Sequence, residues 1–571
     1  MPSEKEDEEV VLDKKDALLP CVQWANNLIG TVVAILCGII FASYMQQLHE
    51  TTLWFTNIKP VEQEISLRTE AGLYYSYYKS AVREGVTLSE TIHELMHDTS
   101  TEYPREINVL KRFNIYQELI LATIYNNLKR IPIFVEYLPT PMIFYVYSCF
   151  ALTGFGVTTL FLLVWASHRS WIYGVLAFAW MCANLDDSTR AFFTVNLREN
   201  FALPFFWLQN FFAVRILQRT TTIPAKHLLA FTISTFLFAL FWQFNQFILL
   251  LQSSALFLVA LVIPSLSKTI VLLICARFVA YTFAFIAQFG QSMVFLSVCT
   301  SFEAAALVVL LVAPRFCSAI TRSTNPIISA FMKSIAVVAL CAMINITKKM
   351  ATASEWDTHI WTFVKAKLGI YTDVSRYIAL RSGKVIALAI AIALLYRQYD
   401  VYKQQISLEQ EFYDPDTVQL MEWISSSTPP SSSWAGSMQL MAGIKACTGR
   451  NLANHPHFED KWLRERTQRL YQIYGKRLVA DVHEILREER VDYIILEDSI
   501  CLAQSNGCST NDLVDLSNGV LPDSGYPSHE LTLSVSTVPR FCAKIRHMDE
   551  VTSSFFKLVF SNRTFRVYKV L

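Results

Sequence analysis

The chain has 571 residues, of which 53% are hydrophobic and only 17% charged, and its net charge is +1. Ordinary soluble domains carry about 25% charged residues, so this deficit excludes a plain soluble protein. The near-zero charge, with no basic tract interleaved with aromatics, excludes a nucleic-acid binder, and the twelve cysteines show no zinc spacing.

Residues 1–20 are polar and mixed in sign, from Glu4 to Lys15. They read as a disordered tail without a signal-peptide n-region. A helix needs about 20 mostly apolar residues to cross a bilayer, and about ten runs are candidates. They lie near Leu28–Tyr44, Met142–Ala166, Trp171–Asn184, Phe201–Leu217, Leu228–Phe241, Phe247–Ile263, Thr269–Gln288, Met293–Ala313, Ile327–Ile344 and Val385–Leu395. The third and tenth are short for a span. Cys37, Cys149, Cys182, Cys275 and Cys341 sit within apolar runs as small hydrophobes. The expected fold is mainly α: residues 21–400 form a polytopic helical bundle that includes a large loop, 50–140.

Short loops after even-numbered spans hold His168 and Arg169; Arg215, Arg219 and Lys226; Lys268; and Arg315 and Arg322. Placed in the cytoplasm, they put the N-terminus there too and the loop 50–140 on the opposite, lumenal face. Asp186–Asn200 and the stretch after Asn345 fall on that face as well. Residues 401–571 differ in composition. Charged amphipathic helices, Lys461–Tyr474 and Leu478–Glu489, precede a strand-like run, Tyr493–Leu496, after a Ser/Pro loop, Ser425–Ser433. This reads as a small soluble α/β domain, in which Cys501 and Cys508 are candidates for a disulfide if the domain is lumenal.

The loop after the first span is the most informative stretch. Glu62, Glu64, Arg68 and Glu70 crowd the membrane surface ahead of the aromatic run Tyr74-Tyr75-Ser76-Tyr77-Tyr78. One reading is a solvated acidic helix start with interfacial aromatics. The other is a carboxylate held at the bilayer surface to act on a membrane-bound substrate.

The run EISLRTEAGLYYSYYK resembles the first lumenal loop of the dumpy (Dpy) family of protein C-mannosyltransferases. HDTSTEYPREINVLKRFNIYQELILA, TRAFFTVNLRENFALPF and FWQFNQF follow in the family's order. EWISSSTPPSSSWAGSMQLMAGIK, NHPHFEDKWLRERT and VDYIILEDSIC continue it in the C-terminal domain. The resemblance extends from about residue 45 almost to the end. It implies a GT-C glycosyltransferase of the endoplasmic reticulum membrane, with the nuclear inner membrane as the alternative. The implied donor is dolichyl-phosphate mannose, and the implied acceptor is a tryptophan of Trp-x-x-Trp sequences, as in thrombospondin-type repeats, mannosylated at indole carbon 2. No metal or other cofactor is implied.

By that resemblance Glu70 occupies the catalytic glutamate position, where a carboxylate stabilises the cationic indole and takes its proton. Arg190 and Arg198 match two arginines of the second lumenal loop and are assigned to the donor phosphate, which a guanidinium fork suits. Glu62, Glu64, Arg68, Gln243 and Gln246 match further positions with possible substrate contacts. Helix–helix hydrogen bonding is an equal reading for Gln243, Asn245 and Gln246. Arg277 and Glu303, inside spans, are expected to pair or to lie near the boundary. His455, His457, Glu459 and Asp460 read as a loop, since their spacing fits no standard metal site.

The chain is a shortened and partly divergent member by this reading. The family's His-Gly-Glu is Leu185-Asp186-Asp187 here, and its Trp-Thr-Pro-Pro is Phe193-Thr194-Val195-Asn196. A cysteine- and glycine-containing insert is reduced to Ile131–Pro141. Past Asp357-Thr358-His359-Ile360 the family has three further spans, whereas here the chain passes from about Arg381 straight to Val385–Leu395. A strict span count then puts the C-terminal domain in the cytoplasm, against the family's lumenal placement. Glycosylation at Asn562, in the sequon Asn562-Arg563-Thr564, is a test. The alternative function is a non-catalytic relative with a structural or anchoring role in the endoplasmic reticulum or nuclear envelope membrane. A transporter would show Gly/Pro-broken spans in paired halves, and no such pairing is present.

Overall fold

A computed structural model describes residues 3–219, 223–316, 326–352, 384–408, 410–457, 460–525 and 532–571. The Asp357–Ile360 segment, Arg322, Arg381 and Glu459 lie outside the described residues. The chain forms two compact units. One comprises residues 1–47, 149–191 and 198–405; the other comprises 48–148, 192–197 and 406–571.

The first unit is a bundle of apolar helices. Among the described residues five helices are long and apolar enough to cross a membrane: Gln23–Leu53, Pro141–His168, Asn245–Val262, Pro264–Ala287 and Ile327–Ala351. Ile172–Ala183, Ala225–Phe241 and Val298–Val312 are apolar but shorter. All ten runs expected from sequence fall on helices, the fourth on Arg198–Leu217 and the tenth on Lys384–Ser407. The eighth run is not one helix. It divides into Ser292–Leu296 and Val298–Phe316, because Ser297 is extended and its hydroxyl accepts from the Thr300 amide at 3.2 Å.

Small residues let these helices touch. A Cβ added at Gly38 would collide with the Gly154 carbonyl, and one at Gly154 with the Gly38 carbonyl. Thr158 donates across the same seam to the Ala34 carbonyl at 3.2 Å, and along its own helix to the Gly154 carbonyl at 3.2 Å. Between apolar helices in lipid, such close contact and hydrogen bonding replace the hydrophobic effect as the source of association. Arg277 and Glu303 do pair, at 2.8 Å, with both side chains fully buried. Ser253 and Gln252 also accept from the guanidinium, and Gln252 donates to Asn210 at 2.7 Å.

The second unit joins the first loop to the C-terminal segment. The loop folds as helices Pro60–Ser66, Glu70–Ala81, Leu88–Met96 and Tyr116–Leu128 around a two-stranded antiparallel sheet, β1 (Asp98–Glu102) with β2 (Arg105–Ile107). The C-terminal segment contributes β3 (Ser433–Ala435), β4 (Asn451–Leu452), β5 (Tyr493–Glu497), β6 (Phe556–Ser561) and β7 (Phe565–Val570). Their order is β4-β3-β5-β7-β6, with the first three parallel and the last two antiparallel. Ile494 and Leu496 of β5 and Leu470, Val482 and Leu486 of two amphipathic helices share one apolar core.

Two local expectations change. The helix Pro415–Ser427 runs into the expected Ser/Pro loop and β3 begins at its end, because Asp414 caps the helix and burial of Trp434 draws the serines that follow into the sheet. The disulfide is Cys501–Cys542, not Cys501–Cys508. Cys542, on the helix Phe541–Lys544, is buried in the core beside Cys501, while Cys508 is free and exposed.

Candidate active site

Glu70 is the first residue of the helix Glu70–Ala81, whose remaining face is buried almost throughout. The helix begins there because the preceding residue, Thr69, has φ +54 and ψ −134. A β-branched residue at positive φ is strained, and surrounding structure must hold it. Gly72 allows the close approach this needs: a Cβ there would sit 2.7 Å from the Leu67 carbonyl and 3.3 Å from that of Ala442. The Glu70 side chain is half-buried, and the Tyr74 hydroxyl donates to it at 3.4 Å. An anionic side chain in the first turn is favoured by the helix dipole.

Around this helix the unit is tightly tied. Glu64 pairs with Lys79 at 2.6 Å, and Lys79 also donates to the Ala446 carbonyl at 2.9 Å. Burial pushes the Glu64 carboxyl up, with the Lys79 charge only partly offsetting it. Glu64 therefore joins the helices Pro60–Ser66, Glu70–Ala81 and Met438–Thr448. Glu62 has its carboxylate committed to the Lys59 amide at 2.8 Å, as the cap of its own helix. Arg68 is exposed.

Sequence reasoning missed a second set of ties. The Asn196 amide donates to the Ala71 carbonyl and to the Tyr145 hydroxyl, 2.9 Å each. Tyr145 in turn donates to the fully buried Glu118 carboxylate at 2.9 Å. The available signal was a lone glutamate directly ahead of the apolar run Leu119–Ala122. Tyr77 hydrogen-bonds Thr101 at 3.0 Å, and the buried Lys445 reaches Ser100.

The His455–Asp460 loop is a structural knot. His455 is buried 3.4 Å from Glu102, which also pairs with Arg112 at 3.2 Å. Asp460 pairs with Arg112 at 2.7 Å and caps the helix Lys461–Leu470 through the Leu463 amide. Burial pushes the Glu102 carboxyl up, but the His455 hydrogen bond and the Arg112 and Arg105 charges outweigh it, leaving it below the usual range. Burial pushes the His455 imidazole down, and Glu102 only partly offsets this. His457 packs edge-on against Phe113.

The other sequence-derived residues lie in the bundle unit. Arg190 is exposed and Arg198, at the start of Arg198–Leu217, is buried. Gln243 is half-buried, in the turn before Asn245–Val262. Gln246 is buried; it donates to Asn245 at 2.8 Å and accepts from Ser297 at 2.9 Å. Its amide thus stitches two helix starts together.

The family model described as "Dpy19: Q-cell neuroblast polarisation" matches residues 35–379 and 374–570. The two matches overlap at residues 374–379. A Mus musculus protein named "Probable C-mannosyltransferase DPY19L4" is 26% identical over 679 aligned positions, covering 96% of this chain and 92% of that protein. "Protein C-mannosyl-transferase DPY19L1" of Rattus norvegicus is 26% identical and covers 96% and 88%. "C-mannosyltransferase dpy-19" of Caenorhabditis elegans is 24% identical and covers 82% and 86%. Among solved structures, the oligosaccharyltransferase AglB of Archaeoglobus fulgidus, in complex with an inhibitory peptide and a dolichol-phosphate, superposes with a TM-score of 0.54. It covers 83% of this chain and 69% of that one at 11% identity, which speaks for the membrane glycosyltransferase fold alone.

Proposed function

From the premise that this chain belongs to the Dpy19 family, we propose that it is a protein C-mannosyltransferase of the endoplasmic reticulum membrane. The donor is dolichyl-phosphate mannose and the acceptor a tryptophan in Trp-x-x-Trp sequences of lumenal or secreted proteins. The observation that carries this reading is Glu70: a half-buried carboxylate fixed at a helix start by a strained residue and a buried frame.

The chemistry needs such a group. Indole carbon 2 attacks the anomeric carbon of mannose, the bond to the phosphate oxygen breaks, and dolichyl phosphate departs with the electron pair. The ring is then cationic until carbon 2 loses its proton. Glu70 stabilises that cation and accepts the proton. Arg190 holds the departing phosphate, with Arg198 as its neighbour on the same loop. Arg68 and Gln243 are assigned to substrate contact. Glu62, Glu64 and Gln246 act through the backbone and side chains they hold, and so position rather than react.

The Cys501–Cys542 disulfide supports a lumenal C-terminal segment, because such bonds persist in oxidising compartments. The second reading, a non-catalytic relative, draws on one observation. The alignment with the mouse relative runs over 679 positions for a chain of 571 residues, so more than a hundred of them have no counterpart here. Membranes containing the full chain, supplied with dolichyl-phosphate mannose and a Trp-x-x-Trp peptide, separate the two. A hexose added to tryptophan, seen by mass spectrometry, supports the enzyme; an unmodified peptide supports the structural role.

A further inference from the structure

Between the helix Tyr116–Leu128 and the span that starts at Pro141, the chain lays out Ile131, Pro132, Ile133, Phe134, Val135, Glu136 and Tyr137, all exposed. Ile133 is 77% and Tyr137 82% exposed. Consecutive apolar side chains left this open are unusual on a surface that meets only water. They are not a loose strand. The Phe134 amide donates to the Ile131 carbonyl at 3.0 Å and the Tyr137 amide to that of Phe134 at 3.1 Å, giving a turn with its apolar side chains outward. The turn is anchored at both ends. The Ile131 amide continues the preceding helix onto Leu128, and the Tyr125 hydroxyl donates to the Pro139 carbonyl at 3.2 Å.

We propose that Ile131–Tyr137 is an interfacial membrane anchor, with Ile133, Phe134 and Val135 in the acyl-chain boundary and Tyr137 at the headgroups. The occupant is a lipid surface because the segment runs directly into an apolar span four residues later, so its end is already at the bilayer. Tyrosine at such a boundary suits its apolar ring and polar tip. The attraction is apolar, since Arg130 and Glu136 cancel and Lys129 is paired with Glu84 at 2.8 Å. The anchor also sets the Glu70 helix: Asn126, on the helix that leads into the turn, donates to the Ala81 carbonyl at 3.0 Å. The lipid contact itself does not depend on the proposed chemistry.

The test places photoreactive benzoylphenylalanine at position 134 of the full chain in phosphatidylcholine bilayers. Position 279, on an exposed face of the Ser267–Ala287 span, is the positive control, and position 513, in the C-terminal part, is the aqueous control. The expected result is a phospholipid adduct at 134 and 279 and none at 513, unchanged when phosphatidylserine is added. An adduct at 279 with none at 134, a cross-link from 134 to protein alone, or an adduct at 134 only with phosphatidylserine would each overturn the anchor. Because position 134 is exposed and the replacement aromatic, a folding defect is not expected, and the 279 adduct reports on insertion independently.

Discussion

Asn196 donates its side-chain amide to the main-chain carbonyl of Ala71, the residue next to Glu70, at 2.9 Å. The same nitrogen reaches Tyr145. Asn196→Ala should lower stability by about 1–3 kcal/mol, the cost of leaving buried partners unmade, and lower mannose transfer several-fold. Thermal unfolding in detergent and a transfer assay check both. An Asn196→Ala protein as stable as the parent would show that the contact contributes nothing.

Thr69 holds Glu70 at the price of a positive φ. Thr69→Gly removes strain of about 1–3 kcal/mol and adds roughly 0.5–1 kcal/mol of entropic cost. The expected result is a protein about 1 kcal/mol more stable but slower in transfer, because Glu70 is less well fixed. If stability and rate both rise, strain at Thr69 has no part in positioning Glu70.

The knot around Glu102 makes a pH prediction. His455 keeps its proton less readily in the fold than at its ordinary value of 6.5, and Glu102 and Asp460 titrate below their ordinary values. As pH falls below about 6.5 the unfolded chain takes up a proton on the imidazole that the fold refuses, so stability declines. The carboxylate contribution, intact above the unfolded values, is lost as pH passes down through the folded ones. His455→Gln should lessen the decline between pH 7 and 5.5, and lessen the further decline below the ordinary carboxylate values as well, because the His455 hydrogen bond is the largest of the effects holding the Glu102 carboxyl down. Unfolding midpoints across that range measure it; identical curves for both proteins would sink the assignment.

Arg277 and Glu303 form an ion pair with no exposure. Breaking it with Glu303→Gln strands a charge and should cost about 3–5 kcal/mol, whereas Arg277→Met with Glu303→Leu should cost far less. The order of the two thermal midpoints checks this, and a single variant no worse than the double would contradict it.

Much of this was legible in the sequence because hydropathy and period report burial directly. The apolar runs became helices, Tyr493–Leu496 became β5, and Arg277 and Glu303 found each other. The failures share a cause. Cys501 pairs with Cys542, 41 residues away, and not with the nearer Cys508, because sheet and helix packing, which spacing does not reveal, brings Cys542 beside it. Likewise Asn196 reads as a divergence beside a motif, and only the fold shows what it holds. Asn562, offered by its sequon as a topology marker, already donates to the Asp416 carbonyl at 2.8 Å and accepts from the Thr564 amide. Thiol labelling is therefore the better marker: Cys508 should react before reduction, and Cys501 and Cys542 only after it. Labelling of all three without reductant would contradict an oxidised, lumenal segment.

Glu70 is the residue on which the proposed transfer depends. The direct measurement is mannose transfer to a Trp-x-x-Trp peptide by the purified full chain and by Glu70→Gln, with donor binding and thermal stability followed in both. The variant is expected to fold and to bind dolichyl-phosphate mannose but to transfer at least about 100-fold more slowly, the scale expected for removing a general base. A Glu70→Gln protein that transfers mannose at the parent rate would contradict it.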